Sequence, residues 1–454
     1  MITEARAKAE RAQGAPRSGL AALGVSVAAT FTVAVAGASV MEPPLPGQAG
    51  QPPWAFRLNP SPYLAVGLTA LALASGTLGL VLTLRAVRAG WRMPPRFLLL
   101  AGLTAAAALT LVPPFGSADH LSYAAYGRMV ATGHNPYLTT PSQLAAHGDP
   151  VGAAVLDWQA AVSVYGPLAS GIQALASLIG GTSVRMTVFV LGLVNLIAFG
   201  GAGALLYRMT SGRQDRQLRA VLMWTANPLL LQVLVAGAHV DTQAIALCVA
   251  AVAVLYGPWS PPGPALQPSL RRAALAGALL GCGFAIKVTS ALIAVALAIA
   301  LTHPRTAQTR GAYRLRAIAA LAAGFAIVAG IAVAIGGRAM LRADSQASGM
   351  VSIGSPWRVI RLGLQHILGY GAATDTVKYG AAALAVLLAL LITRRLPSAL
   401  SHGCDNQPPI AAWLSQPSAE DGVRAGPEVR LGTGVRLGAG VPVGGGVPKV
   451  VGVL

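Results

Sequence analysis

The sequence predicts an all-α polytopic membrane protein, and three observations carry that reading. Hydrophobic residues make up 54% of the 454 positions and charged residues only 10%, against about a quarter charged in soluble domains. Mean hydropathy is +0.62. Apolar runs close to the roughly 20 residues that cross a hydrocarbon core recur along the chain. These runs lack the two-residue alternation of a membrane barrel, and lipid offers no partner to open backbone groups, so they form helices.

Taken in order, the clearest runs are 20–40, 63–84, 97–112, 187–207, 220–236, 242–257, 273–301, 317–335 and 379–392. The first ends in "AVAGASV", which resembles a signal-peptidase site, but its apolar run exceeds the usual signal-peptide length and reads as a retained span. The net charge of +19 would suggest nucleic acid in a soluble protein. Here the basic residues gather in short clusters between runs, at 6–17, 85–96, 208–219, 271–272, 305–316 and 394–395, and no nucleic-acid partner is expected. The positive-inside rule places these clusters in the cytoplasm. Cys248, Cys282 and Cys404 have neither disulfide nor metal spacing.

This topology sets the expected domains. Residues 1–19 form a basic cytoplasmic N-terminus, and 20–395 form a multi-span domain with outer loops at 113–186 and 336–377. The piece "YGPLASGIQALASLIGG" is expected as a short outer or re-entrant helix. Run 273–301 has basic clusters on both flanks, so it is expected to break into two short helices meeting near Lys287, each about 20 Å long at about 1.5 Å per residue. Residues 396–454 are Gly, Val, Pro and Arg rich, without helical period, and read as a disordered low-complexity tail. Their bias also suits an out-of-frame or truncated end.

Chemistry concentrates in a few places. In "SADHLSYAAYGRMVATGHNPY" the pattern predicts a helix from Asp119 to near Gly133, with Asp119, Tyr123 and Tyr126 sharing one face and Arg128 on the surface. Asp119 reads either as a helix cap, with the tyrosines in an interfacial belt, or as a site carboxylate. His239 and Asp241 of "GAHVD" either end a helix or point into a cavity, and Asp241 reads first as a cap. Lys287 lies mid-run, too deep to snorkel, and needs an anion. A ligand phosphate is favoured over a structural pair. Arg338, Arg342, Arg358 and Arg361 suit anionic headgroups or a lipid-linked phosphate.

The blocks "SADHLSYAAYGRMVATGHNPY", "VYGPL", "NPLLLQVLVAGAHVD" and "AIKVTSALIA" together resemble, in order and spacing, the actinobacterial polyprenol-phosphomannose-dependent α-1,6-mannosyltransferases of the GT-C superfamily. The resemblance spans about 20–395, and the tail departs from the further spans it leads one to expect. It implies a GT-C-like helix bundle in the cell membrane, with an outer-face site moving mannose from polyprenyl-phosphate mannose to a growing α-1,6-mannan of lipomannan or lipoarabinomannan type. It implies Asp119 as general base of an inverting transfer. Lys287 with Arg338, Arg342 or Arg358 would hold the phosphate, His239 and Asp241 would line the site, and Tyr123, Tyr126, Tyr137 and Tyr165 would contact sugars. The expected partners are the lipid-linked donor and a glycan acceptor, with neither cofactor nor metal required. A secondary transporter and an inactive truncated relative are the competing readings.

Overall fold

The computed structural model describes residues 2–257, 269–302, 311–347 and 355–401. Among them the secondary structure is helical, apart from one isolated bridge between Ser39 and Glu42. Five helical stretches are long and apolar enough to cross a membrane: Pro16–Ala36, Pro62–Arg88, Val184–Met209, Gln214–Ala236 and Gly311–Ala347. The chain is an all-α polytopic membrane protein.

Helix α1 (Ile2–Ala36) starts well before the expected run, and the basic N-terminus continues into the first span. Helices α2 (Pro62–Arg88) and α3 (Pro95–Thr110) each begin on a proline, whose fixed φ suits a first helical position and whose missing N–H costs nothing there. The Ser61 hydroxyl caps α2 at Leu64.

The stretch expected as an outer loop at 113–186 is built from short helices. These are α4 (Asp119–Ala131), α5 (Pro141–Ala146), α6 (Pro150–Ala153) and α7 (Pro167–Gly180). Helix α4 matches the predicted element and stops before Gly133, whose φ of 81° ends it. Thr140 and Gln143 form a capping box on α5, and Asp149 caps α6.

Helix α8 (Val184–Met209) follows. The next apolar run is not one helix: α9 (Gln214–Met223) stops at Trp224, Asn227 caps the single turn α10 (Pro228–Leu230), and a π-helical turn covers Leu231–Ala236. Trp224 donates its indole N–H to the Phe199 carbonyl at 2.9 Å and its ring stacks on Phe199, which anchors the break.

Helix α11 (Asp241–Tyr256) is followed by α12 (Leu270–Phe284), a 3-10 turn at Val288–Ser290 and α13 (Ala291–Thr302). The 273–301 run is therefore broken at Lys287, as expected. Helix α14 (Gly311–Ala347) packs on α12 through glycines. A Cβ on Gly277 would run into the Leu321 carbonyl, and one on Gly324 into the Ala274 carbonyl. Such small-residue contacts let apolar helices approach closely.

The segment expected as a loop at 336–377 is largely helical. Helix α14 bends at Gly337, which leaves the helical region with φ 64°, and continues through Arg338 and Arg342 to Ala347. Glycines and serines are frequent there, beginning with Gly336 and Gly337, and they mask the helical pattern. A second unit begins after residue 351, and its described residues, 355–401, hold α15 (Pro356–Leu368) and α16 (Tyr370–Ser401). Helix α16 runs six residues into the stretch assigned to a disordered tail, and the rest of that stretch, 402–454, lies outside the described residues.

The α12–α14 contact yields a test within one helix. Gly324→Val is expected to lower the melting midpoint of the detergent-solubilised protein, since overpacking typically costs about 1–3 kcal/mol. Gly330→Val, where an added Cβ meets nothing within 4 Å, is expected to leave it close to wild type. Equal midpoints for the two variants would contradict this packing.

Candidate functional site

Three breaks in the helical backbone converge. The link after α3 is pinned by the Phe115 N–H, which donates to the Ala236 carbonyl at 2.9 Å, and by the Gly116 N–H, which donates to Met41. That places the start of α4 beside the "GAHVD" turn. In that turn Ala238 takes a left-handed φ of 53°. The amide of Asn195 on α8 donates to the His239 carbonyl at 3.1 Å and accepts from the Gln243 amide at 2.9 Å, while the Thr242 hydroxyl bonds the Leu234 and His239 carbonyls.

The third break is around Lys287, whose backbone is extended. Gly166 and Leu168 donate their N–H groups to the Ile286 and Ala285 carbonyls at 3.0 and 2.9 Å. A Cβ on Gly166 would collide with the Ala285 carbonyl, so this pairing requires glycine. It also sets Tyr165 next to the break.

Side chains from these segments meet. The Trp158 indole N–H donates to Asp119 Oδ1 at 3.1 Å, and His239 Nδ1 stands 3.6 Å from Asp119 Oδ2. Lys287 Nζ donates to Asp241 Oδ1 at 2.7 Å. The side chains of Asp119, His239, Asp241 and Lys287 are between 23% and 34% exposed, which leaves them reachable by a ligand.

Tyr123 and Tyr165 link the two groups. Their rings pack edge to face at 5.2 Å and their hydroxyls lie 3.4 Å apart. Burial holds the Tyr123 hydroxyl well above its usual range, with Tyr165, Asp119 and Asp241 adding to the shift. Tyr165 is raised chiefly by burial, and both carboxylates act on it in the same direction.

The cap reading of Asp119 fails: Ala118 is the cap residue of α4 and no side chain caps it. Asp241 likewise does not cap α11, and the expectation that it would is corrected. Its carboxylate is drawn instead to Lys287, 46 residues on, a partner that local spacing cannot reveal. Lys287 thus has the structural pair that ranked second.

The predicted common face of α4 exists, and the 158–165 segment covers it. Tyr126 is buried and its hydroxyl donates to the Ala161 carbonyl at 3.1 Å. Tyr137 is buried with its hydroxyl 3.4 Å from Ser170 Oγ. Tyr126 thus holds this segment in place, and Tyr137 reaches α7. Arg128 is more than surface, since its Nε–H donates to Asp149 Oδ2 at 2.7 Å and ties α4 to α6.

Arg338 and Arg342 are exposed on α14, and among the described residues no hydrogen bond or ion pair joins them to the Asp119 group. Arg358 belongs to the second unit. There Arg361 lies over the Tyr370 ring at 5.4 Å. Among the described residues no three His, Cys, Asp or Glu side chains gather as metal ligands would.

Trp158, Asn195 and Gln243 carry no signal in the sequence that marks them as site residues. Each reads as an ordinary loop or helix residue until the fold places its polar end.

Beneath Asp119, His120 is fully buried and neither ring nitrogen has a hydrogen-bond partner. Burial pushes it down to about 3, His239 adds to the push, and the Ser117 backbone opposes it. The folded protein refuses a proton that the unfolded chain binds below about 6.5, so stability falls as pH drops from there towards 3. Melting midpoints from pH 7 to 5 should therefore decline less steeply for His120→Gln than for wild type, and parallel declines would contradict this burial.

Residues 20–304 match the family described as alpha-(1→6)-mannopyranosyltransferase, N-terminal domain. No curated protein and no solved structure matches the chain.

Proposed function

The chain belongs to the alpha-(1→6)-mannopyranosyltransferase family and is a membrane-embedded mannosyltransferase. On that premise we propose that it adds mannose from polyprenyl-phosphate mannose to an α-1,6-mannan acceptor of lipomannan or lipoarabinomannan type. The transfer inverts the anomeric centre, the bundle is GT-C-like, and the site faces outward across the cell membrane with the N-terminus in the cytoplasm.

The observation that carries this reading is the Asp119 carboxylate. It sits at the start of α4, partly exposed, with one oxygen held by Trp158 and the other 3.6 Å from His239, longer than a hydrogen bond. Oδ2 is thus available to an acceptor hydroxyl. As that oxygen attacks the anomeric carbon, its proton passes to Asp119, the carbon–oxygen bond to phosphate breaks, and the electron pair leaves on the phosphate.

Lys287 would offset the charge that develops on the phosphate. His239 and Asp241 line the site, and Tyr123 and Tyr165 remain protonated between the carboxylates as hydroxyl donors. The four positions come from three separate breaks, an arrangement that a packing role alone would not require.

Membranes carrying wild type or Asp119→Asn, supplied with polyprenyl-phosphate mannose and a short α-1,6-mannoside, test the reading. Wild type is expected to extend the mannoside and Asp119→Asn to lose about 10²–10⁴-fold in kcat, the usual range for a positioned base. Full activity in the variant would remove Asp119 from that role. No extension by wild type would refute the donor and acceptor assignment.

Lys287 can be separated from its ion pair by a double-mutant comparison. If Lys287 serves only Asp241, the pair Asp241→Asn with Lys287→Met should recover most of the activity lost by Lys287→Met alone. If it also binds the donor phosphate, the double variant should stay as weak as the single one, with a raised KM for the donor.

A further inference from the structure

Trp158 stands in a left-handed backbone conformation, φ 61°, that L side chains rarely adopt. The strain is held in place from both sides. The Ala161 N–H donates to the Trp158 carbonyl at 2.9 Å, the Ser142 N–H to the Gln159 carbonyl at 2.9 Å, and the Ser163 N–H to the Pro136 carbonyl at 2.8 Å. The Gln159 amide adds a bond to the Val155 carbonyl at 2.8 Å.

Packing does not explain why a tryptophan occupies this turn. The residue is 51% exposed, whereas a core tryptophan would be covered. What is engaged is the polar end of the ring, which donates to Asp119 Oδ1. Strained conformations persist where the surroundings over-determine them, and they gather at functional sites.

We propose that Trp158 is a positioning residue for Asp119: its indole N–H fixes Oδ1, orients the carboxylate plane and presents Oδ2 as the oxygen that takes the acceptor's proton. This rests on the assignment of Asp119 as base and goes further by distinguishing its two oxygens. An indole N–H only donates, so it can hold a carboxylate oxygen without competing for the proton. Because the bond is made before substrate arrives, its effect falls on turnover rather than on substrate binding.

Two variants of the full chain in detergent or membranes test the assignment. Trp158→Phe keeps an aromatic ring and loses the N–H. It is expected to lower kcat for mannosyl transfer at least tenfold, with KM for donor and acceptor within twofold of wild type. Trp158→Gly removes the side chain and accepts the left-handed backbone. It should lose kcat similarly while melting at or above the wild-type temperature. An unchanged kcat in Trp158→Phe, or a loss confined to KM, overturns the proposal. So does a Trp158→Gly protein whose melting midpoint falls together with its activity.

A readout independent of transfer keeps the two readings apart. Carbodiimide modification of Asp119, followed by peptide mass spectrometry, should increase in Trp158→Phe because Oδ1 is released. Equal modification overturns the positioning role even if no mannosyl transfer is detected in wild type.

Discussion

A helix interrupted inside an apolar bundle exposes amide and carbonyl groups that lipid cannot solvate, and the site depends on how those groups are satisfied. Each break is closed by backbone or amide groups of another segment. Phe115 donates to Ala236 at the end of the π-helical turn, Gly166 and Leu168 donate to Ile286 and Ala285, and Asn195 closes the His239 carbonyl. The link after α3 is thereby tied to the end of the π-helical turn, while α8 holds the His239 carbonyl and the start of α7 holds the break at Lys287.

The tie also explains why ionisable groups are tolerated here. Asp119, His239, Asp241 and Lys287 each find a neighbour of complementary character, and the tyrosines between them stay protonated through burial. A site whose dipoles and charges are fixed in advance does not have to reorganise when charge moves. His120 shows the cost of the arrangement. It is packed under Asp119 as a neutral ring with unsatisfied nitrogens, and it makes the floor of the site sensitive to acid.

The sequence disclosed what periodicity and charge can disclose. The helix beginning at Asp119, the break at Lys287 and the short helix after Tyr165 follow from apolar patterning, basic flanks and a proline at a helix start. Pairing across the fold left no such trace. Asp241 looked like a cap because Asp at a helix start commonly is one, and only tertiary contact sets it on Lys287. Tyr126 looked available because its burial comes from a covering segment with no regular period, and Tyr137 because its partner Ser170 lies 33 residues on. Trp158 was hidden most fully. Left-handed backbone is usually signalled by glycine, and here a tryptophan carries it.

Lys287 shows why a structural pair and a ligand-binding role need not compete. An ammonium group has three N–H donors in a tetrahedral arrangement, and the bond to Asp241 Oδ1 uses one. The side chains of both partners are about one-third exposed, 32% and 34%, so the remaining donors are not sealed in. The bond to Asp241 fixes where the ammonium group points. The pair therefore places a directed charge with open donors within the apolar run 273–301, and leaves those donors free for a further partner.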